Sequence, residues 1–168
     1  MASAPELHTA ILSLNNRFAA ETSPLDRPNL LAMLDNAVLA QACLMPDLGL
    51  TGFLIAFGPD ASYQSSNYRW FRMRGGRFAY IDRVVVAPGA MRRGVARTLY
   101  AALTDAARAV SLKEVTCEVN LDPPNPASDA FHAALGFGEV GRVTHSEKTV
   151  RYLACPIPVL AAKARVSE

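Results

Sequence analysis

Residues 80–108 limit the possible folds of this chain more than any other segment. They begin with YIDRVVV, a run that ends in three β-branched residues, and the chain breakers Pro88 and Gly89 follow it. Further on, apolar residues recur at the three-and-four spacing that lines one face of an α-helix. They are Val95, Leu99, Ala102, Leu103, Ala106 and Val110. The segment therefore predicts a central strand, a tight turn and a long helix.

The turn at residues 91–96 has the composition of a binding site for an anion. Gly94 and Ala96 carry little or no side chain, so a ligand can come close to the backbone. The N–H groups in the first turn of a helix have no partner within the helix, and the helix dipole favours negative charge there. The turn is therefore a natural site for a pyrophosphate.

The composition is that of a globular protein. With 168 residues, of which 51% are hydrophobic and 19% charged, the chain is long enough to bury a core, and we expect residues 1–168 to form a single domain. A formal charge of +2 is too small to identify a partner. The arginines nevertheless concentrate in the middle of the sequence, at Arg69, Arg72, Arg74, Arg77, Arg83, Arg92, Arg93 and Arg97.

The cysteines and the N-terminal sequence bear on the location of the protein. Cys43, Cys117 and Cys155 lie far apart without metal-binding spacing, so we expect reduced thiols and no metal site. The start, MASAPELHTAIL, lacks the basic flank and the long apolar run of a secretory signal. No apolar segment approaches the ~20 residues that span a bilayer. We therefore expect a cytoplasmic protein without a membrane partner.

The segments before residue 80 predict two helices followed by two hairpins. Apolar residues at helical spacing predict a first helix over residues 5–20, and Ser23 followed by Pro24 predicts the start of a second, which continues to residue 34. Alternating and apolar runs separated by turn residues predict the hairpin strands. These strands are residues 38–45 with 50–57, and residues 68–74 with the strand that begins at residue 77.

The segments after the long helix predict a strand, a short helix and a final hairpin. Residues 115–121 alternate as a strand, and a helical crossover from the first strand implies that the two are parallel. Asn125 and Pro126 predict the cap and first turn of a helix that Gly136 ends. Residues 137–143 and 149–154 predict two antiparallel strands, and we expect a loose tail from residue 156.

Two blocks of sequence resemble the GNAT superfamily of acetyl-coenzyme A dependent N-acetyltransferases. They are VVVAPGAMRRGVARTLYAAL and EVNLDPPNPASDAFHAALGF. The phosphate loop of that family reads Gln/Arg-x-x-Gly-x-Gly/Ala, and here Arg92-Arg93-Gly94-Val95-Ala96 supplies its last five positions, while Met91 replaces the first residue. The second block matches in Asn125, in Phe131 and in Leu135-Gly136-Phe137. Together the blocks cover about the C-terminal half of the chain.

The resemblance implies a fold and an activity. The fold is an α/β fold with a mixed, mostly antiparallel sheet that is splayed between two parallel strands and flanked by helices. The activity is transfer of an acetyl group from acetyl-coenzyme A to a primary amine by direct attack in a ternary complex. The acceptor is a small molecule or a peptide, and its identity stays open because the N-terminal helices align with nothing specific. A homodimer also stays open.

The resemblance further implies a coenzyme A site at the splayed strands and the phosphate loop. Main-chain groups of Val84 and Val86 would bond to the pantetheine arm and to the thioester carbonyl, although both valines could instead serve only the core. The arginines of the loop could bind phosphates or lie solvated at a helix start. The full predicted site is Val84, Val85, Val86, Met91, Arg92, Arg93, Gly94, Val95, Ala96, Arg97, Asn120, Asn125 and Phe131.

The chemistry requires a base, because only a neutral amine attacks a thioester. In a regularly alternating strand, Asp82 shares a face with Tyr80, Val84 and Val86, which predicts that its carboxylate faces the cleft. The alternative for Asp82 is an ion pair with a neighbouring arginine. Glu118 on the partner strand is the rival base.

His132 occupies the position at which family members commonly place a tyrosine that protonates the leaving thiolate. A histidine can also donate a proton near neutral pH, but a thiolate leaves well enough that no acid is required. The alternative role for His132 is that of a surface histidine near the cleft.

Two other classes of function stay open. One is a coenzyme A binding module without turnover, which the absence of the tyrosine permits. The other is a nucleic-acid binder that uses a basic strand with interleaved aromatic residues, for which solvated arginines on a hairpin are the favoured alternative. That strand would present Tyr68, Arg69, Trp70, Arg72, Arg74 and Arg77. We expect no nucleic-acid partner.

Overall fold

A computed structural model describes residues 4–165, which form seven α-helices and six β-strands. The helices are α1 (Ala4–Arg17), α2 (Ala19–Thr22), α3 (Arg27–Asn36), α4 (Ser66–Arg74), α5 (Val95–Ala109), α6 (Pro126–Leu135) and α7 (Ile157–Ala164). The strands are β1 (Leu39–Met45), β2 (Gly49–Phe57), β3 (Phe78–Val86), β4 (Glu114–Asn120), β5 (Gly138–His145) and β6 (Lys148–Pro156). Within residues 4–165, no helix has the length and apolarity needed to cross a membrane.

The six strands form one mixed sheet in the order β1-β2-β3-β4-β6-β5. The pair β3 and β4 is parallel and the other neighbours are antiparallel, which confirms the predicted fold class and the predicted parallel pairing. The two parallel strands pair only between residues 78–80 and 114–116. Beyond these residues β3 and β4 separate, so the sheet is splayed at its centre.

Each face of the sheet carries its own hydrophobic cluster. On one face, which we call the α5 face, Leu99 and Leu103 of α5 and Leu160 of α7 pack against side chains of β3 and β4. On the other, the α4 face, Tyr68 and Phe71 pack with apolar side chains of α1 and α3. Two free thiols, Cys117 and Cys155, are buried in the cluster on the α5 face. The core therefore has two layers that the sheet separates.

A β-bulge in β3 changes which side chains share a face. Ile55 pairs with Arg83 and the next residue of β2 pairs with Ile81, so Asp82 is an extra residue on β3. Tyr80 belongs to the cluster on the α4 face, whereas Val84 and Val86 pack on the α5 face. The prediction that Asp82 shares a face with Val84 and Val86 is therefore wrong, because strict alternation does not hold across a bulge.

Residues 68–74 form part of helix α4 rather than the predicted strand. Ser65 caps the helix, since its hydroxyl oxygen accepts a hydrogen bond from the Tyr68 N–H at 3.0 Å. Tyr68 and Phe71, three residues apart, are both buried. Gly75 follows at a φ of 84° and ends the helix. The aromatic and arginine residues of this segment therefore lie on a helix, and the rings of Tyr68 and Phe71 lie in the core.

Three other predicted boundaries are wrong. Asp26, not Ser23, caps α3, because its carboxylate accepts a hydrogen bond from the Asn29 N–H at 2.9 Å. The first helix ends at Arg17. The predicted loose tail contains α7, whose buried residues hold it against α5. These are Ile157, Leu160, Ala161 and Ala164. The last residues of the predicted tail, 166–168, lie outside the described part of the chain.

Candidate functional site

The loop before α5 has the backbone geometry expected of an anion-binding site. Gly94 caps α5 in the left-handed conformation with a φ of 76°, and the space next to its Cα is open. The first backbone bond of the helix runs from the Thr98 N–H to the Gly94 oxygen at 3.0 Å. The amides of Val95, Ala96 and Arg97 precede that bond and therefore have no carbonyl partner within the helix. The predicted phosphate loop thus folds as a helix N-terminus with exposed donors.

The side chains of this loop have mixed environments. Val95 is buried in the core, while Met91 is 58% exposed. Arg93 lies 4.0 Å from the Asp47 carboxylate, and Arg97 donates a hydrogen bond to the Lys163 oxygen at 2.8 Å. Arg93 and Arg97 thus contact neighbouring segments of the chain, and the amides of the first turn remain as backbone donors.

The splay leaves backbone edges of β3 and β4 without a strand partner. Residues 81–86 pair with β2 on one side only, and residues 117–120 pair with β6 on one side only. The side chains of Val84 and Val86 pack against the core while their main chain stays at this open edge. Asn120 ends β4 at the same opening. The core role of these valines is thus present and leaves their main-chain groups at the open edge, and the predicted contact with the coenzyme stays a prediction.

The two carboxyl oxygens of Glu118, on β4, differ: one accepts hydrogen bonds, and the other is buried without a partner among the described residues. Its Oε1 accepts hydrogen bonds from the Tyr80 hydroxyl and from the Asn67 amide nitrogen, both at 3.0 Å. Among the described residues, no partner bonds to its buried Oε2. Burial, and next the negative charge of Asp82, raise the pKa of Glu118 to about 8. A carboxyl in this environment can accept a proton near neutral pH.

Asp82 has both carboxylate oxygens engaged. Oδ1 accepts a hydrogen bond from the Tyr63 hydroxyl, and Oδ2 lies 2.8 Å from the Arg83 Nε. The bulge places both side chains on the α4 face, where Arg83 Nη1 also donates to the Asn15 Oδ1 at 3.0 Å. The ion pair considered for Asp82 is therefore present, and its partner is the next residue.

His132 is buried rather than on the surface, so the alternative of a surface histidine is wrong. His132 is 6% exposed, and its ring lies edge-on to the rings of Phe137 and Tyr100. Nδ1 lies 2.8 Å from the Ser128 carbonyl oxygen, which only accepts, so Nδ1 carries the proton in the neutral ring. Nε2 then accepts from the Tyr100 hydroxyl at 2.7 Å. Burial lowers the pKa of His132.

Helix α6 uses two further predicted residues for its own structure. The Asn125 side-chain oxygen accepts a hydrogen bond from the Ser128 N–H at 3.2 Å and so caps the helix. Phe131 packs edge-on against Tyr100 at a centroid distance of 5.3 Å. Any contact of these residues with a ligand comes in addition to these roles.

Sequence reasoning missed the partners of the two carboxyl groups. Asn67 donates a hydrogen bond to Glu118 and accepts one from Tyr152, and Tyr63 donates one to Asp82. If residues 66–74 are predicted as a helix, Asn67 lies in its first turn, close to the Ser65 cap. No local signal identifies Tyr152 or Tyr63, because their contacts depend on the register of β6 and on a long loop.

Comparison with known families and structures matches this architecture. The model of the acetyltransferase (GNAT) family matches residues 10–137. The ribosomal-protein-S18-alanine N-acetyltransferase from Escherichia coli is 16% identical, with 93% of this chain and 90% of that chain covered and a TM-score of 0.64. Ard1 from Thermoplasma volcanium is 15% identical, with 93% and 95% covered and a TM-score of 0.70.

A third solved structure includes a ligand. An aminoglycoside 6′-N-acetyltransferase complexed with coenzyme A is 14% identical, with 91% of this chain and 92% of that chain covered and a TM-score of 0.69. Among curated proteins, none matches the chain. At these identities the solved structures establish the shared fold.

Proposed function

The chain belongs to the GNAT acetyltransferase family, and from this premise we propose that it transfers the acetyl group of acetyl-coenzyme A to a primary amine within a complex of both substrates. The observation that carries the proposal is the environment of Glu118. A buried carboxyl with one free oxygen lies on β4 where that strand separates from β3. A proton acceptor is needed at this place if an amine attacks a thioester held between the two strands.

On the donor side, the proposal rests on backbone groups. The amides at the start of α5 would bind the pyrophosphate of acetyl-coenzyme A, and the free edge of residues 84–86 would bond to the pantetheine arm. A main-chain N–H at this edge would also stabilise the oxyanion that forms when the amine attacks the carbonyl. The bound coenzyme of the aminoglycoside acetyltransferase supports this assignment by analogy of fold.

On the acceptor side, Glu118 would act as the general base. Its Oε2 takes a proton from the amine, the amine nitrogen bonds to the thioester carbon, and the carbon–sulfur bond breaks as the thiolate leaves with the electron pair. Asp82 is less suited to this role because Tyr63 and Arg83 occupy both of its oxygens. Asp82 instead raises the proton affinity of Glu118.

We further propose that the thiolate leaves without a proton from His132. Both ring nitrogens of His132 bond to groups of the protein, and burial lowers its pKa, so the ring is neutral at pH 7. The predicted acid role thus stays a prediction that a proton inventory must test. On this proposal, His132 joins α6 to α5 through Tyr100.

The test is an acceptor screen that measures release of free coenzyme A thiol. The panel contains peptides with a free N-terminal alanine, aminoglycosides, amino acids and polyamines, because the related structures include enzymes named for a protein alanine and for an aminoglycoside. We expect at least one class to give turnover that Glu118→Gln lowers by about 100-fold or more, in line with the usual contribution of a general base. Glu139→Gln, at an exposed glutamate, is the matched control.

Two results would contradict the proposal. Thiol release that Glu118→Gln leaves unchanged would remove Glu118 as the base. Tight binding of acetyl-coenzyme A without thiol release across the panel would favour a binding module without turnover.

A further inference from the structure

We propose that Asn67, itself held by Tyr152, is a positioning residue that fixes the Glu118 carboxyl so that Oε2 is the oxygen left for the acceptor amine. This inference rests on the proposed role of Glu118 as the base. It assigns a role in the reaction to helix α4, which carries none of the predicted site residues.

The three side chains form a chain of hydrogen bonds with a fixed direction. The Tyr152 hydroxyl donates to the Asn67 Oδ1 at 2.8 Å, and the Asn67 Nδ2 donates to the Glu118 Oε1 at 3.0 Å. The ionised form of Glu118, which is the form that acts as a base, only accepts hydrogen bonds, so in that form the amide nitrogen faces Glu118 and the amide oxygen accepts from the hydroxyl. Tyr152 therefore holds the Asn67 amide in the orientation that serves Glu118.

The three residues of this chain of bonds all lie in regular secondary structure. Glu118 and Tyr152 are direct partners in the β4–β6 pair. Asn67 lies in the first turn of α4, two residues after the Ser65 cap. Trp70 of the same helix stacks on the Tyr152 ring at a centroid distance of 4.2 Å and an angle of 15°. The helix and the strand are thus joined by both a stacked ring pair and a hydrogen bond.

The consequence for Glu118 is that its two oxygens are not equivalent. Asn67 and Tyr80 each donate to Oε1, and Oε2 is buried without a partner among the described residues. An unpaired buried carboxyl oxygen is costly unless a ligand or a proton meets it. The network therefore leaves Oε2 without a hydrogen bond, and Oε2 is the atom that would take the proton of the amine.

The groups that set the proton affinity of Glu118 come from three elements. Asp82 of β3, which is paired with Arg83, raises the pKa of Glu118, and the Tyr80 hydroxyl of β3 lowers it. The Asn67 amide of α4 also lowers it. Tyr152 of β6 is linked to Glu118 by its hydrogen bond to Asn67. Loss of the Asn67 amide therefore raises the pKa of Glu118, and the base becomes active only at higher pH.

The experiment measures kcat/KM against pH for the full chain with the best acceptor of the screen. For Asn67→Leu we expect the acidic limb to move up by about one pH unit, the effect of one lost hydrogen bond to a charged group. Turnover should fall while the KM for acetyl-coenzyme A stays unchanged. Tyr152→Phe should move the limb in the same direction by a smaller amount. Asn36→Leu, at an exposed asparagine of α3, is the matched control.

A second readout does not depend on turnover. The ¹³C resonance of the Glu118 carboxyl reports its pKa directly, and both variants should raise that value in the free protein. The positioning role is overturned if the resonance and the limb stay in place in Asn67→Leu and Tyr152→Phe. If instead Glu118→Gln leaves the limb intact, the base assignment itself fails, and the two failures are thereby distinguished.

Discussion

At the scale of single residues, two carboxyl groups on the same face of the sheet have opposite properties. Asp82 accepts from a hydroxyl and pairs with a guanidinium, so its charge is compensated within the protein. Glu118 receives neutral donors on one oxygen only, and within residues 4–165 no cation pairs with it. Burial therefore acts fully on Glu118, and Asp82 adds its negative charge to that effect. This difference in partners, rather than the residue type, is the reason why we propose Glu118 and not Asp82 as the base.

The substitution Asp82→Asn separates the two candidate bases. Because it removes a negative charge next to Glu118, we expect the acidic limb of kcat/KM to move to lower pH, by about one pH unit or less. Coenzyme binding should change little. Loss of the limb, together with a large loss of turnover at neutral pH, would instead identify Asp82 as the base. Asp105→Asn, at an exposed aspartate that pairs with Arg165, serves as the control.

His132 makes stability depend on pH in a defined direction. Burial lowers its pKa in the folded protein, so below pH ~6.5 the unfolded chain binds a proton that the folded chain does not. The free energy of unfolding should hold above pH ~6.5 and decrease below it, by at most about 1.4 kcal/mol per pH unit, until the folded-state pKa is passed.

Urea titrations at several pH values measure this dependence. His132→Gln should remove that part of the slope, and His145→Gln, at an exposed histidine, should not. Equal slopes in the His132 variant and the parent protein would contradict the assignment.

At the scale of elements, helix α4 joins the hydrogen bonds around Glu118 to the hydrophobic core. It contributes Asn67 to the Glu118 network, Tyr68 and Phe71 to the core, and Trp70 to the stack on Tyr152. The neighbouring strand β5 makes room for this helix at Gly141. A Cβ built there would lie 2.4 Å from the Trp70 ring. The absence of a side chain at position 141 is thus a condition for the docking of α4.

The substitution Gly141→Ala tests this contact. A methyl group against a rigid indole ring requires a shift of backbone or ring, and we expect a loss of about 1–3 kcal/mol in unfolding free energy. Trp70, the single tryptophan of the chain, reports the transition by fluorescence. Gly138→Ala on the same strand meets open space and should be nearly neutral. A neutral effect of Gly141→Ala would contradict the described packing.

The elements that could be predicted from the sequence are those set by local signals. The phosphate loop, α5 and the capped start of α6 each have their breakers, caps and periodicity within about twenty residues. The interleaved aromatic and arginine residues of 68–74 suggest a strand, but Trp70 and Phe71 are adjacent and break a period of two, whereas the buried Tyr68 and Phe71 have the spacing of a helix. The bulge at Asp82 depends on the pairing of β3 with β2, so the sequence of β3 alone does not predict it.

At the scale of the whole molecule, the sheet divides the site into two sides. The phosphate loop and the free edge of β3 belong with the α5 face, and the two carboxyl groups belong with the α4 face. Substrates that approach from opposite faces would meet only where β3 and β4 separate. The sequence predicts the first side from a family resemblance and names both carboxyl groups of the second side as candidate bases, but the hydrogen bonds that distinguish the two groups join residues up to 85 positions apart. Such contacts cannot be read from one sequence.

The C-terminal helix α7 completes the α5 face and should be essential for folding. Leu160 is fully buried, and we expect Leu160→Ala to cost about 2–5 kcal/mol in unfolding free energy. If residues 1–168 form one domain, Trp70 fluorescence and far-UV circular dichroism should shift together in urea, although Trp70 lies on the opposite face. Val159→Ala, at a residue 39% exposed, should cost less. Separated transitions would contradict the single domain.

The bulge in β3 also has a consequence for comparative and engineering work on this chain. Deletion of the single residue at position 82 would restore strict alternation, and the valines that follow would keep their faces and their partners on β2. An alignment without a gap at this position, made against a relative that lacks the bulge, would compare side chains from opposite faces of the sheet. Residues of β3 should therefore be counted separately on each side of Asp82 when variants are designed or relatives are aligned.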